Sequence, residues 1–186
     1  MTTRPFPEFV SEAVRVVPFQ PRHLTEQYVA WLNDPEVVRF SEQRHRTHTL
    51  ETCRGYAESQ WASSNYFLAV ETADGSRHVG NIGVLVDRPN RLADVSIVIG
   101  DRSVWGSGLA TRAWCATLDA LTGPLEFRKV IAGTMEVNQP MLRLMERSGM
   151  RVEAIVPRYF VWEGRQVGLV LASTYGAEPA GDERHG

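Results

Sequence analysis

The stretch Trp105-Gly106-Ser107-Gly108-Leu109-Ala110-Thr111 is the part of this sequence with the clearest chemical signal. An apolar, β-branched run at residues 95–100 precedes it and a helical pattern at 110–121 follows it. Together they predict a strand, a glycine-rich turn and a helix. The first amides of a helix have no intrahelical acceptor, and the helix dipole is positive there. The turn is therefore predicted to bind an anionic group such as a pyrophosphate.

Two carboxylates and one amide near strand ends are further candidates for chemistry. Asp94 lies at the entry of the strand that leads to the turn, and Glu136 lies at the end of a later strand. A carboxylate beside an apolar cleft can have a raised pKa and act as a base, although each acid could equally be solvated. Asn138 starts the following helix, where it could cap the helix, contact a ligand, or do both.

The polar segment 41–48 (SEQRHRTH) is predicted to be a loop with a basic character. Its cations are Arg44, His45, Arg46 and His48. They favour either contact with an acidic ligand group or a solvated loop whose charges pair locally. The two histidines have no third ligand nearby, so we expect no metal site here.

The composition is typical of one globular, soluble domain. The chain has 186 residues, 43% hydrophobic and 23% charged, with a net charge of −2. This balance gives no field that would attract nucleic acid or an anionic membrane. No apolar run approaches the length that spans a bilayer, and residues 1–9 do not resemble a signal peptide. Cys53 and Cys115 lie in separate helical patterns, which favours a reducing, cytoplasmic location.

The periodicity of apolar residues predicts alternating strands and helices in the order β, α, α, β, β, β, α, β, α, β, β. A helix opens at Pro21 and stops at 33–35, and the other helices are predicted at 50–63, 110–121 and 140–148. Strands are predicted at 13–19, 66–72, 78–87 (interrupted by two glycines), 92–100, 128–135, 151–160 and 166–175. We expect an N-terminal extension at 1–12, one domain at 13–176 and a disordered tail at 177–186.

This order and four motifs resemble the GNAT (Gcn5-related) N-acetyltransferases. The family's phosphate motif is Gln/Arg-x-x-Gly-x-Gly/Ala, and Trp105 stands here in place of the Gln or Arg. That Trp is typical of the Rim-type branch of ribosomal-protein N-terminal acetyltransferases. The same branch is similar at 31–37 (WLNDPEV), at 80–83 (GNIG) and at 138–150 (NQPMLRLMERSGM), with Met150 for the usual Phe. The likeness covers residues 13–175.

The resemblance implies an α/β (α+β) GNAT fold. Its central sheet is mixed, mostly antiparallel and twisted, with about seven strands and a splayed central strand pair. Helices cover both faces of the sheet.

The resemblance also implies that acetyl-CoA is the co-substrate. The pantetheine chain would pair with the backbone of Ile97, Val98 and Ile99. The pyrophosphate would lie on amides of the segment from Val104 through Ala110 and Thr111, with Asn138 also in contact. Arg102, Arg112 or Arg143 could meet the 3′-phosphate.

The proton donor of the family has no counterpart at its usual positions. Relatives carry a Tyr or a Ser where this chain has Met145 and Met141, and neither Met can donate a proton. Tyr159 and Tyr175 are the tyrosines left in the C-terminal half, although each could be an ordinary strand aromatic. The candidate catalytic residues are therefore Asp94, Glu136, Asn138 and Tyr159.

The implied activity is transfer of an acetyl group to a primary amine by direct attack on the thioester. The acceptor could be a small amine or amino sugar, or a protein N-terminus. The loop 41–48 lines the acceptor pocket in relatives, so a carboxylate-bearing or phosphorylated amine would suit its charge. The alternative is a catalytically silent CoA-binding or regulatory module. The branch commonly forms homodimers, and the C-terminal strands could pair between copies.

Overall fold

The computed structural model describes residues 4–177 and arranges them around an eight-stranded sheet. The strands follow one another across the sheet in the order β1-β2-β3-β4-β5-β6-β8-β7. Their bounds are β1 Phe9–Val10, β2 Val14–Pro18, β3 Tyr66–Thr72, β4 His78–Asp87, β5 Leu92–Ile99, β6 Lys129–Met135, β7 Arg151–Trp162 and β8 Arg165–Tyr175. The helices are α1 Glu26–Asn33, α2 Leu50–Trp61, α3 Leu109–Thr122 and α4 Gln139–Arg147. Neighbouring strands are antiparallel except β5 and β6, so the predicted mixed, mostly antiparallel sheet is confirmed.

Helices cover both faces of the sheet because the strand side chains alternate between two apolar clusters. On β3, Leu68 and Val70 pack in the cluster that contains the buried faces of α3 and α4. Phe67 and Ala69 point the other way, into the cluster that contains the buried faces of α1 and α2. The sheet therefore forms a middle layer between two helical layers.

Strands β5 and β6 separate after a short parallel contact. They pair only through the three residues Leu92–Asp94 of β5 and Lys129–Ile131 of β6. Beyond Asp94, β5 continues to Ile99 with β4 as its partner. The two strands thus leave a wedge-shaped gap, as predicted for the splayed pair.

Two local features differ from the sequence prediction. The first helix begins at Glu26 rather than at Pro21, because Pro21–His23 forms a separate 3-10 turn. Thr25 then caps α1, with its hydroxyl accepting a hydrogen bond from the Tyr28 amide at 3.2 Å. The short strand β1 adds an eighth strand to the predicted seven, in the region assigned to the N-terminal extension.

Strand β4 is continuous despite its two glycines, contrary to the predicted interruption. A Cβ at Gly80 would lie only 2.4 Å from the carbonyl oxygen of Val98 on β5. The glycine is therefore needed for the close approach of two strands and not for a break.

The domain boundaries stay predictions, and most of the tail predicted at 177–186 lies outside the described residues. Within residues 4–177, no helix has the length and apolar character needed to cross a membrane.

Candidate active site

The gap between β5 and β6 opens into a cavity of about 570 Å³ on the α1–α2 side of the sheet. We call it the splay cavity. It is lined by α1, α2 and the loop between them, by the middle of β4 and β5, and by the end of β6. Asn138 and Met141 at the start of α4 complete its inner wall.

The free edge of β5 faces this gap. The Gly100 amide donates to Val79 at 3.0 Å, so the backbone groups of even-numbered residues point toward β4. By alternation, the N–H and C=O groups of Ile97 and Ile99 point toward the gap. The three residues predicted to contact the pantetheine chain therefore have different positions. Ile97 and Ile99 direct backbone groups toward the gap, whereas Val98 lies in the cavity wall.

The glycine turn follows this edge after a single 3-10 turn, Arg102–Val104. Gly106 and Gly108 have positive φ angles of 76° and 82°, a conformation that favours glycine. A Cβ on Gly106 would meet no atom within 4 Å, and one on Gly108 would meet only Arg112. The turn is therefore open toward solvent and can be approached closely.

The turn also carries unused backbone donors. Within residues 4–177, the amides of Gly106, Gly108, Ala110 and Thr111 donate to no protein acceptor. The neighbouring amides of Ser107 and Leu109 do have acceptors, in the carbonyl of Val104 and the hydroxyl of Ser107. Four free donors at the N-terminus of α3 form the kind of site that binds an anion.

Trp105 connects the turn to β5. Its indole N–H donates to the carbonyl of Ile99 at 2.9 Å, and the Arg102 guanidinium lies over its ring. The side chain is 45% exposed, so it is not a core residue. It holds the turn against the end of the free edge.

Asn138 is positioned for both roles considered from the sequence, the helix cap and the ligand contact. Its Oδ1 accepts from the Met141 amide at 3.3 Å and caps α4, and its Nδ2 donates to the Thr134 hydroxyl at 2.9 Å. The residue also lines the splay cavity. Met141 lies beside it in the wall, whereas Met145 is only 2% exposed and belongs to the core.

Asp94 lies at the closed end of the gap, outside the cavity lining. It shares the face of β5 that carries Ser96 and Val98, and it is three residues from Ile97, roughly 10 Å along a strand. Partial desolvation raises the pKa of the Asp94 carboxyl above its usual 3.8. Ser96, in contrast, lines the cavity directly.

The structure places the other predicted acid and the predicted tyrosine away from the cavity. The Glu136 carboxylate accepts from the Gly168 amide at 2.7 Å and extends the β6–β8 ladder. Tyr159 is 58% exposed next to an irregularity in β7, while its neighbour Phe160 lines the cavity. Arg143 is exposed on α4.

The loop between α1 and α2 closes one side of the cavity, and two side chains hold it. The Asn33 side chain donates to the His48 carbonyl and accepts from the His48 amide, both at 2.8 Å. Arg44 donates to the carbonyl of Ser41 at 2.9 Å and to that of Val161 on β7 at 3.2 Å. The Asn of the WLNDPEV motif therefore fixes the far end of the loop.

The same loop packs on the β7–β8 hairpin. The rings of Phe40 and Trp162 stack at 5.6 Å, and the Trp162 indole donates to the Arg39 carbonyl at 3.2 Å. Arg39 also pairs with Glu163 at 3.1 Å. These contacts turn the splay cavity into a pocket that is roofed by the loop.

Two tyrosines in the cavity wall were missed by the sequence analysis. Tyr28 on α1 fits the apolar spacing of a core residue, and Tyr56 lies in the polar pattern of α2, so neither position stands out. Burial raises the pKa of both phenols. Both therefore stay protonated at neutral pH and can donate a hydrogen bond.

A second, smaller cavity of about 370 Å³ lies where the start of α1 meets the ends of β3 and β5. We call it the polar pocket. Its central residue, Glu71, is 1% exposed and contacts Arg22 at 2.7 Å and His23 at 2.9 Å. His78 lies 4.9 Å from His23 between ring centroids. Its charges are largely paired with one another.

The comparisons with known proteins agree with this geometry. A family model for the acetyltransferase (GNAT) domain matches residues 14–151. Among curated proteins, none matches this sequence.

Solved structures of acetyltransferases share the fold. An acetyltransferase of the GNAT family from Bacillus anthracis is 18% identical, with a TM-score of 0.78 over 91% of this chain and 98% of that one. The ribosomal L7/L12 alpha-N-protein acetyltransferase RimL, in complex with coenzyme A, is 12% identical with a TM-score of 0.80 over 93% and 98%. The spermidine N-acetyltransferase of Vibrio cholerae, in complex with CoA and spermine, is 15% identical with a TM-score of 0.79 over 89% and 96%.

The family model covers most of the chain, and its match agrees with the splayed strand pair and the glycine turn at the end of β5. The predicted GNAT fold is confirmed. The chain belongs to the GNAT acetyltransferase family.

Proposed function

We propose that this chain transfers the acetyl group of acetyl-CoA to the primary amine of a small molecule. The observation that carries this proposal is continuity: the free edge of β5 leads, through one 3-10 turn at Arg102–Val104, to a turn with four unused amides, and a roofed cavity lies beside that edge. A donor with a long polar chain and a pyrophosphate, and an acceptor of limited size, fit these three parts.

The residues of the turn fit the pyrophosphate of acetyl-CoA. The free amides of Gly106, Gly108, Ala110 and Thr111 can donate to phosphate oxygens, and the missing Cβ atoms leave room for them. Arg102 and Arg112 border the turn, so they suit the phosphates better than Arg143, which is exposed on α4. The pantetheine chain would pair with backbone groups of Ile97 and Ile99.

Acetyl-CoA, when bound, supplies an activated acyl group. The chain must hold a neutral amine against the carbonyl carbon and stabilise the charge that develops on the carbonyl oxygen. The N–H of Ile97 at the free edge would donate to that oxygen. Asn138, whose side chain is held by its hydrogen bond to Thr134, lines the cavity and limits the space for the acceptor.

Proton transfer is assigned to cavity residues rather than to the family's usual positions. Tyr28 and Tyr56 are protonated donors in the cavity wall and replace the missing donor at Met145 and Met141. Asp94, with its raised pKa, is the better base of the two acids, because the Glu136 carboxylate already accepts from a backbone amide. At roughly 10 Å from Ile97, Asp94 would act through water.

A small amine is favoured over a protein N-terminus. The α1–α2 loop is tied to the β7–β8 hairpin through Arg44 and through the Phe40–Trp162 stack. A peptide would need an open groove on this side, and the roof occupies that space.

Release of free thiol from acetyl-CoA over a panel of amines tests the activity, and calorimetry of CoA binding tests the site. Gly108→Glu should abolish CoA binding, because it strains a positive φ and places a carboxylate where phosphate binds. Gly164→Glu is the matched control, because Gly164 has a φ of 73° and open space but lies in the β7–β8 turn. Tight CoA binding without turnover of any amine would indicate the silent module instead.

A further inference from the structure

The charged residues in and around the splay cavity differ in whether they already have a partner within the protein. Its lining includes one carboxylate, Glu42, and one guanidinium, Arg46. Glu42 is paired with Arg44 at 2.8 Å, and His45 lies 4.0 Å from it. The negative charge at the cavity is therefore already neutralised by the loop itself.

Arg44 cannot serve a ligand either. Its guanidinium donates to the carbonyls of Ser41 and Val161 as well as to Glu42, and its side chain is only 15% exposed. Of the four basic residues of the loop, it is the one used to hold the roof in place.

Two groups in the cavity lining are unpaired among the residues that the structure describes. The exposed side chain of Arg46 makes no hydrogen bond and no ion pair there, and the Nε2 atom of His48 is buried without a hydrogen-bond partner. His48 is held in position through its backbone by Asn33, so its ring is presented by a fixed segment. A buried polar atom without a partner costs free energy unless a ligand or water satisfies it.

The rest of the cavity wall is largely apolar. Leu32, Phe40, Phe67 and Phe160 line it together with the rings of Tyr28 and Tyr56. The unpaired cation and the orphan imidazole lie on the loop, whereas β5 and the start of α4 contribute other parts of the lining. A ligand that reaches from β5 to the loop thus meets apolar side chains and a basic group.

We infer that the acceptor is a small amine with an apolar body and an anionic group, such as a carboxylate, at the end remote from the amine. Arg46 binds the anionic group by charge, and His48 Nε2 contributes a hydrogen bond to the same group. This inference rests on the proposed function, since it assigns the acceptor of that reaction. Arg46 is a specificity-determining residue and plays no part in the acetyl transfer itself.

The test compares matched acceptors in the thiol-release assay. 4-(Aminomethyl)benzoate is measured against 4-methylbenzylamine, and 6-aminohexanoate against hexylamine. We expect kcat/KM to be at least about tenfold higher for each carboxylate, which corresponds to about 1.4 kcal/mol. Equal or lower kcat/KM for the carboxylates would overturn the inference, while turnover of the neutral amines would leave the proposed function standing.

The variant Arg46→Gln should remove this preference by raising KM for the carboxylates, with kcat and the KM of acetyl-CoA within about twofold of wild type. Arg54→Gln on α2 is the matched control, since Arg54 is exposed and lies outside the cavity lining. A preference that persists in Arg46→Gln, or that is lost equally in the control, would contradict the assignment. A short peptide acetylated in preference to every small amine would overturn it as well.

Discussion

Two cavities border helix α1, and their charged groups behave in opposite ways. In the polar pocket, the buried Glu71 carboxylate forms ion pairs with Arg22 and His23, although its Oε2 atom and His78 Nδ1 are buried without a hydrogen-bond partner. In the splay cavity, the exposed Arg46 guanidinium makes no ion pair among the described residues, and the buried His48 Nε2 has no hydrogen-bond partner. The difference lies in the charges: those of the polar pocket pair with one another, whereas Arg46 is left without an ion pair among the described residues, although each cavity also holds a buried imidazole nitrogen without a hydrogen-bond partner.

The first prediction removes the central charge of the polar pocket. Glu71→Ala should lower the free energy of unfolding by about 1–3 kcal/mol, because it leaves the buried His23 Nε2 without its hydrogen-bond partner and removes the ion pair with the half-exposed Arg22. Urea denaturation measures the change, and Glu58→Ala on the exposed face of α2 serves as the control. A loss below about 1 kcal/mol would show that the pairing does not hold α1 to the sheet.

The second prediction concerns the pH dependence of the same pocket. Burial lowers the pKa of His78 from 6.5 to about 4, and burial lowers the pKa of His23 as well. The unfolded chain therefore binds more protons, so stability is fully present above pH 6.5 and is lost as the pH falls toward 4.

For His78 alone, the loss between pH 7.5 and pH 5 is about 2 kcal/mol by linkage. His78→Gln should flatten the pH dependence by about this amount in urea denaturation at the two pH values. His45→Gln, an exposed loop histidine with a 60% exposed side chain, should leave the slope unchanged. An equal slope in wild type and His78→Gln would remove His78 from the polar pocket's stabilising role.

The glycine turn and the polar pocket also differ in how far the sequence reveals them. The glycine turn could be predicted because its signals are local: a β-branched run, two glycines and a helical pattern in order. The pairing of Glu71 with Arg22 and His23 could not, because the partners are separated by 48 residues or more and the end of β3 has no distinctive pattern. Long-range packing decides burial there.

Prediction of the acceptor-binding residues from the sequence is limited in the same way. The sequence predicts a basic loop at 41–48 but cannot distinguish its cations. Only the fold brings the carbonyl of Val161 on β7 next to Arg44, so that Arg44 holds the loop over the cavity. Tyr28 and Tyr56 look like helix residues of no special kind until the loop encloses them.

The third prediction loosens the roof without touching the reacting groups. Arg44→Ala should raise KM for the acceptor about tenfold with an unchanged KM for acetyl-CoA, because it removes the hydrogen bond that ties the loop to Val161 of β7. Stability should fall by only about 1 kcal/mol, since the lost bonds lie near the surface. Steady-state kinetics measure the two KM values, with Arg54→Ala as the control variant. An unchanged acceptor KM would show that Phe40 and Trp162 suffice to hold the loop.

The fourth prediction has the smallest expected effect and tests the comparison most directly. Arg46→Gln should change the free energy of unfolding by less than about 0.5 kcal/mol, because the guanidinium has no partner to leave unpaired. Combined with Glu71→Ala, its effect should be additive to within the same margin, since the two residues share no contact. Urea denaturation of the two single variants and the double variant completes the cycle. A loss of 2 kcal/mol in Arg46→Gln alone would place Arg46 with the residues that hold the fold. In that case the division between the two cavities would no longer describe which charges are free for a ligand.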